Sequence, residues 1–201
     1  MARRKKADSR FGVDLAERKF WMRWRVRTGY PVGVIYWLLA SPTPRSIAIG
    51  SAVAFVGLAI RAAASGHLRK DRELATSGPY AHTRNPLYFG SAFMALGFSI
   101  AGNSLWAGLL VMVYFGVFYY AVMRNEAEDL GKLFGQSYAS YAARVPLFFP
   151  RLTEGTSEAS LSTPFSWAQY RRNREYKAFL GTVLGVAILF LRMYIRRRVG
   201  Y

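Results

Sequence analysis

Gly78-Pro79-Tyr80-Ala81-His82-Thr83-Arg84-Asn85-Pro86-Leu87-Tyr88-Phe89-Gly90 is a polar, turn-rich stretch that runs directly into an apolar one. Residues 87–102 and 105–123 carry no charged side chain, and only Asn103-Ser104 separates them. A connection that short makes two consecutive apolar segments an antiparallel helical hairpin. The hairpin returns the chain to the side it left. A second polar cluster follows it: Arg124-Asn125-Glu126-Ala127-Glu128-Asp129-Leu130, then Phe134-Gly135, Tyr138, Tyr141, Pro146 and Pro150. The two clusters are therefore expected to meet at one membrane face and to form a site there.

Working outward, the rest of the chain is organised as a membrane protein. Residues 30–40 are apolar and end at Ser41-Pro42-Thr43-Pro44. Residues 46–64 form a second span, with Gly50, Ser51, Ala54 and Gly57 small enough for close helix packing. In the third span Gly90 and Gly97 lie seven apart, on roughly one face. Residues 124–143 read as a separate polar amphipathic helix. A polar linker is expected over 152–177, and a C-terminal membrane or interfacial helix over 178–201, apolar only across 178–191. Residues 1–29 mix Phe11, Phe20, Trp21 and Trp24 with Arg18, Lys19, Arg23, Arg25 and Arg27, a composition suited to the interface. The units are thus 1–29, 30–65, 66–151, 152–177 and 178–201. The expected fold is all-α: a polytopic membrane bundle of about four to five transmembrane helices, each needing roughly 20 apolar residues.

Charge bounds the function. The net charge is +17, but Lys and Arg gather at 1–27, 61–84, 171–177 and 192–198, at the ends of apolar runs. That is the placement of headgroup anchors, and it argues against a nucleic-acid partner. The bilayer itself is the expected partner. The basic side, which includes both polar clusters, is expected to be cytoplasmic; Arg196-Arg197-Arg198 conflicts with this if the last segment crosses. The chain has no cysteine, which excludes disulfides and thiolate chemistry. No cleavable signal peptide is expected from the basic, aromatic first thirty residues. Nothing in the sequence sets the oligomeric state.

Several residues are candidates for chemistry. Pro86 suits a first helical position with Asn85 as its cap. A helix N-terminus beside the Arg84 guanidinium also binds carboxylate or phosphate well. Tyr88 and Gly90 follow on the first turns, Gly90 leaving room for a ligand. Glu126 shares a helical face with Leu130 and Leu133 and is expected to point inward, towards Arg84 or a ligand's hydroxyl or ammonium group. His67 and His82 read as interfacial residues first, His82 second as part of a pocket. Arg61 reads as a snorkelling residue, and Tyr138, Tyr141, Phe148 and Phe149 as packing or headgroup anchors. No metal-ligand spacing, Ser-His-Asp arrangement, phosphate-binding loop or dinucleotide fingerprint is present, so no metal is expected.

At these residues the chain resembles the membrane methyltransferases that include isoprenylcysteine carboxyl methyltransferase and the phospholipid N-methyltransferases. Their signature is an Arg-His-Pro-x-Tyr-x-Gly opening to a hairpin, then an acidic pair, Leu, Phe-Gly, Tyr-x-x-Tyr and a closing Pro. Here it is matched over about 66–151 by Arg84, Asn85, Pro86, Tyr88, Gly90, Glu126, Leu130, Phe134-Gly135, Tyr138, Tyr141 and Pro150. Asn85 stands in place of the family's His, and Ala127 in place of the second acid. The resemblance implies S-adenosyl-L-methionine bound at the cytosolic face by His82, Arg84, Asn85, Pro86, Tyr88, Gly90 and Glu126. Arg84 and Glu126 would be catalytic. It further implies methyl transfer to a carboxylate or amine of a lipid-like or amphiphilic acceptor, isoprenylcysteine being one option. The alternatives are an NADPH-dependent reductase of the related sterol-reductase type and a non-catalytic membrane scaffold.

Overall fold

The computed structural model describes residues 24, 27–69, 73–153 and 164–199, and these contain helices and no strand. The interfacial role read for 1–29 therefore falls almost wholly outside the described residues. Helix α1 runs through 27–39. Next come α2 (Pro44–His67), a single 3₁₀ turn (Gly78–Ala81), α3 (Pro86–Gly102), α4 (Leu105–Phe134), α5 (Gln136–Arg144), α6 (Trp167–Arg172) and α7 (Tyr176–Val199). Helices α2, α4 and α7 are long and apolar enough to cross a membrane, and α3 is a shorter apolar helix beside them. Outward-facing Leu105, Trp106, Leu109, Val113 and Val117 of α4 are exposed, as are Phe179, Leu180 and Leu184 of α7. Such a surface is stable only against lipid. The protein is an integral membrane helical bundle.

The expected hairpin is present. Asn103 closes α3 in the left-handed conformation at φ 47° and Ser104 caps α4 through the Ala107 amide. At the same end Thr43 and Ser46 form a capping box on α2, and the Ser46 hydroxyl also donates to the Ala101 carbonyl at 3.1 Å.

Helices α2 and α3 run antiparallel in close contact because glycines meet in pairs. A Cβ on Gly50 would lie 2.4 Å from the Gly97 carbonyl oxygen, and one on Gly57 would lie 2.4 Å from that of Gly90. The Gly90–Gly97 spacing read from the sequence and the small residues Gly50 and Gly57 of the second span form this one interface.

Two expectations change. The stretch 124–143 is not one separate helix: α4 continues unbroken to Phe134, and only Gly135, at φ 53°, turns the chain into α5. Residues 152–177 are not all linker, since α6 lies within them and docks on the end of α2. Gln169 Nε2 donates to the Leu68 carbonyl at 2.8 Å, and Asn173 Nδ2 donates to those of Ser65 and Leu68 at 2.8 and 2.9 Å. These carbonyls lie in the last turn and at the C-cap of α2, where a helix runs out of main-chain donors; Ser65 accepts only a long 3.4 Å bond from the Leu68 amide. The C-terminal helix expected over 178–201 is present as α7, Tyr176–Val199. Its Arg192 and Arg196 reach the Leu38 and Ala40 carbonyls at the far end of α1, so the arginine-rich C-terminus stands on the face opposite the two clusters.

Candidate functional site

The first polar cluster is fixed to the second by a strap, residues 145–151. The Arg84 amide donates to the Pro146 carbonyl at 2.9 Å, and the Arg151 amide to the His82 carbonyl at 3.0 Å. Thr83 Oγ1 donates to the Phe148 carbonyl at 2.8 Å and Asn85 Nδ2 to the Leu147 carbonyl at 2.9 Å. The ring Nδ1 of His82 lies 2.9 Å from the Arg151 carbonyl, which can only accept, so this nitrogen carries the proton. Asn85 therefore occupies the N-cap position of α3 without capping it, its amide being spent on the strap. His82 is likewise a strap contact.

Below the strap lies a small buried core of Tyr138, Tyr141 and Val145, with Leu74, Ala127, Leu130 and Phe134 against it. The two tyrosines do more than pack. Tyr141 donates its hydroxyl to the Tyr80 carbonyl at 2.7 Å, and Arg84 Nη1 donates to the Tyr138 hydroxyl at 3.1 Å. The Arg84 guanidinium also sits over the Tyr138 ring, 5.9 Å from its centroid. Burial drives the Tyr141 and Tyr80 hydroxyls far above the ordinary phenol range, so both stay protonated and Tyr141 remains a donor.

Across the hairpin, Tyr88 on α3 donates its hydroxyl to Glu126 Oε2 on α4 at 2.8 Å. The Tyr88 ring meets Tyr119 edge-on at 5.5 Å, and Tyr119 stacks on Phe115 at 4.3 Å. Glu126 does not point inward as expected. It is exposed, as is Leu133. The stripe of α4 that faces the core is Met123, Ala127, Leu130 and Phe134, and at 3.6 residues per turn Glu126 and Leu133 flank that stripe. The partner of Glu126 is Tyr88 rather than Arg84.

Two further expectations change. Gly90 does not leave room for a ligand: a Cβ there would lie 2.6 Å from both the Gly57 carbonyl oxygen and Arg61 Cγ, so its open side is filled by α2. Arg61 does not snorkel. Its Nε pairs with Glu175 at 2.5 Å, and its Nη1 donates to Ser91 Oγ at 2.5 Å and to the Leu87 carbonyl at 3.3 Å. Glu175 is buried, and sequence reasoning missed it: a lone acid in Arg171-Arg172-Asn173-Arg174-Glu175 reads as a solvated counter-charge. The pair ties α2, the first turns of α3 and the start of α7 together behind the site.

The structure thus brings Arg84, Asn85, Pro86, Tyr88 and Glu126 to one end of the hairpin, with His82 on the strap side and Gly90 behind. The buried Nε of Arg84 has no hydrogen-bond partner among the described residues. An unpaired guanidinium donor, a tyrosine hydroxyl and an accessible carboxylate make a site suited to a ligand bearing both anionic and hydroxyl or ammonium groups.

Residues 65–137 match the family model described as phospholipid methyltransferase. Over that segment the chain is similar to that family, in agreement with the resemblance drawn from Arg84 to Gly135; Tyr138, Tyr141 and Pro150 lie beyond the match. The chain is also 36% identical over 105 residues to the cobalt-zinc-cadmium resistance protein CzcN of Cupriavidus metallidurans, covering 52% of this chain and 47% of that one. It is 36% identical over 92 residues to the nickel-cobalt-cadmium resistance protein NccN of Alcaligenes xylosoxydans xylosoxydans, covering 46% and 43%. The matched region thus spans a little under half the length of these curated relatives. No solved structure matches the chain.

Proposed function

We propose that this protein is an S-adenosyl-L-methionine-dependent methyltransferase acting on a lipid-like or amphiphilic acceptor, with its cofactor site on the cytoplasmic face. The observation that supports this most is the convergence of Arg84, with its unpaired buried Nε, and the Tyr88–Glu126 pair at the hairpin's polar end, inside the segment that matches the family.

These residues fit the cofactor's groups. Arg84 offers the unsatisfied donor that an amino-acid carboxylate needs. Glu126, oriented by Tyr88, offers an acceptor for an ammonium or ribose hydroxyl. When bound, the cofactor supplies an electrophilic methyl group on a sulfonium. Methyl transfer is an in-line displacement that needs no covalent enzyme intermediate, so the chain's task is alignment and exclusion of water. Tyr88 and Tyr119 form an aromatic wall next to Glu126. A carboxylate acceptor arrives ionised and needs no base. An amine acceptor must first lose a proton, and Asn85, which cannot titrate and already donates to Leu147, does not take it. A carboxylate acceptor thus asks no base of this site, whereas an amine acceptor would draw on Glu126, its accessible carboxylate. The metal-resistance names of the two relatives do not assign an acceptor.

Calorimetric titration of the detergent-solubilised protein with S-adenosylhomocysteine tests this. Saturable binding is expected, with at least about a tenfold loss in Glu126→Ala, the effect of removing a charged hydrogen-bonding partner. Saturable NADPH binding in its place would transfer the site to reductase chemistry.

A further inference from the structure

The face opposite the candidate site is held together by arginines. Arg192 Nη2 donates to the Leu38 carbonyl at 2.9 Å and its guanidinium lies 4.6 Å over the Trp37 ring. Arg196 Nη1 contacts the Ala40 carbonyl at 3.4 Å and the Ser41 hydroxyl. Both side chains line a cavity of about 350 Å³ between α1 and α7, whose remaining walls are Leu38, Ile195 and Val199. Capping the carbonyls of α1 accounts for part of this arrangement. It does not account for its charge. A helix C-terminus is equivalent to about half a negative charge, whereas two whole positive charges line the cavity. Arg45, Arg197 and Arg198 lie at the same end of the bundle, and none of the eleven acidic residues falls within 40–46, 101–106 or 190–199.

Each guanidinium has five N–H donors; Arg192 Nε also reaches the Ala40 carbonyl at 3.4 Å, and among the described residues these contacts still leave donors unused on each. The stacking on Trp37 and the bonds to α1 hold the two forks in place, so little side-chain freedom is lost when an anion arrives. Two adjacent, preorganised forks suit a phosphate oxyanion. The apolar walls suit the non-polar part of a lipid: Leu38 and Val199 are both more than half exposed.

We infer that this cavity is a binding site for the phosphate headgroup of an anionic phospholipid, in the leaflet opposite the methyltransferase-like site. The lipid's phosphate bridges Arg192 and Arg196, its glycerol end contacts Leu38 and Ile195, and it fastens α7 to α1.

Native mass spectrometry of the full chain, titrated separately with phosphatidylglycerol, phosphatidylcholine and inorganic phosphate, tests the assignment. Wild type is expected to retain one more phosphatidylglycerol than either Arg196→Gln or Leu38→Trp, with about tenfold weaker retention at that site in each variant. Leu38→Trp fills the cavity and removes no charge, so it remains informative if Arg196→Gln fails to fold. Equal retention of phosphatidylglycerol and phosphatidylcholine, or unchanged retention in the variants, overturns the site. Inorganic phosphate occupying it as strongly as phosphatidylglycerol overturns the lipid assignment.

Discussion

Helix α3 has two neighbours in the hairpin region and treats them differently. Against α2 it makes a backbone-to-backbone seam in which Gly50 meets Gly97 and Gly57 meets Gly90, with no space for a methyl group. Against α4 the contact is made by long side chains, among them Tyr88 with Tyr119 and Glu126. Along its membrane portion α4 buries little; Ala107 and Met123 are its only fully buried residues. The candidate site lies between these walls. Arg84 and Asn85 belong to the rigid one, held by the strap and anchored behind by Arg61 and Glu175. Glu126 belongs to the adaptable one. A ligand that reaches both can therefore be positioned by the first and closed on by the second.

The largest effect is expected where the rigid seam is broken. In Gly50→Leu the new side chain meets the Gly97 carbonyl and the Ala101 amide, both main-chain groups that cannot rotate away. Separating α2 from α3 would cost about 3 kcal/mol or more, the upper range of overpacking. The expected result is loss of the monodisperse peak in size-exclusion chromatography in detergent. A variant that stayed folded with unchanged thermal stability would show that the seam is not what fixes α3.

A step down in magnitude is Glu175→Ala, which leaves Arg61 charged among α2, α3 and α7. Removing one member of a buried pair costs roughly 3–5 kcal/mol. The Arg61 side chain is still 19% exposed, so about 3 kcal/mol is expected. Glu175→Gln keeps an acceptor for the guanidinium and should lose about half as much. Thermal unfolding followed by circular dichroism distinguishes them. Equal stability of both variants and wild type would separate α7 from the rigid wall.

These two contacts were unequally legible in the sequence. The glycine seam could be read because Gly90 and Gly97, seven apart, share a stripe of one apolar span and small residues line the neighbouring span. The hairpin could be read because Asn103-Ser104 interrupts an otherwise unbroken apolar run. The Arg61–Glu175 pair could not: its members are 114 residues apart, and each resembles a surface charge in its own surroundings. Asn85 misled for the opposite reason. Its position beside Pro86 fits a local cap, but a tertiary acceptor, the Leu147 carbonyl, takes its amide instead. Glu126 was placed at the correct end of the hairpin and on the wrong side of its helix. Glu126, Leu130 and Leu133 do share one side of the helix, but the stripe that packs runs through Met123, Ala127, Leu130 and Phe134 and leaves Glu126 at its edge.

The smallest effect separates fold from site on the adaptable wall. Tyr88→Phe removes only the hydroxyl that orients Glu126 and keeps the ring against Tyr119. Because Glu126 is exposed, water replaces the lost bond, and stability should change by no more than about 0.5 kcal/mol. Ligand affinity should respond more. If the oriented carboxylate holds S-adenosylhomocysteine, releasing it should weaken binding about fivefold, close to the 1 kcal/mol of one hydrogen bond. Stability and affinity falling together would mean that Tyr88 and Glu126 only tie α3 to α4. Affinity falling alone is the result expected if α4 is the wall that closes on the cofactor.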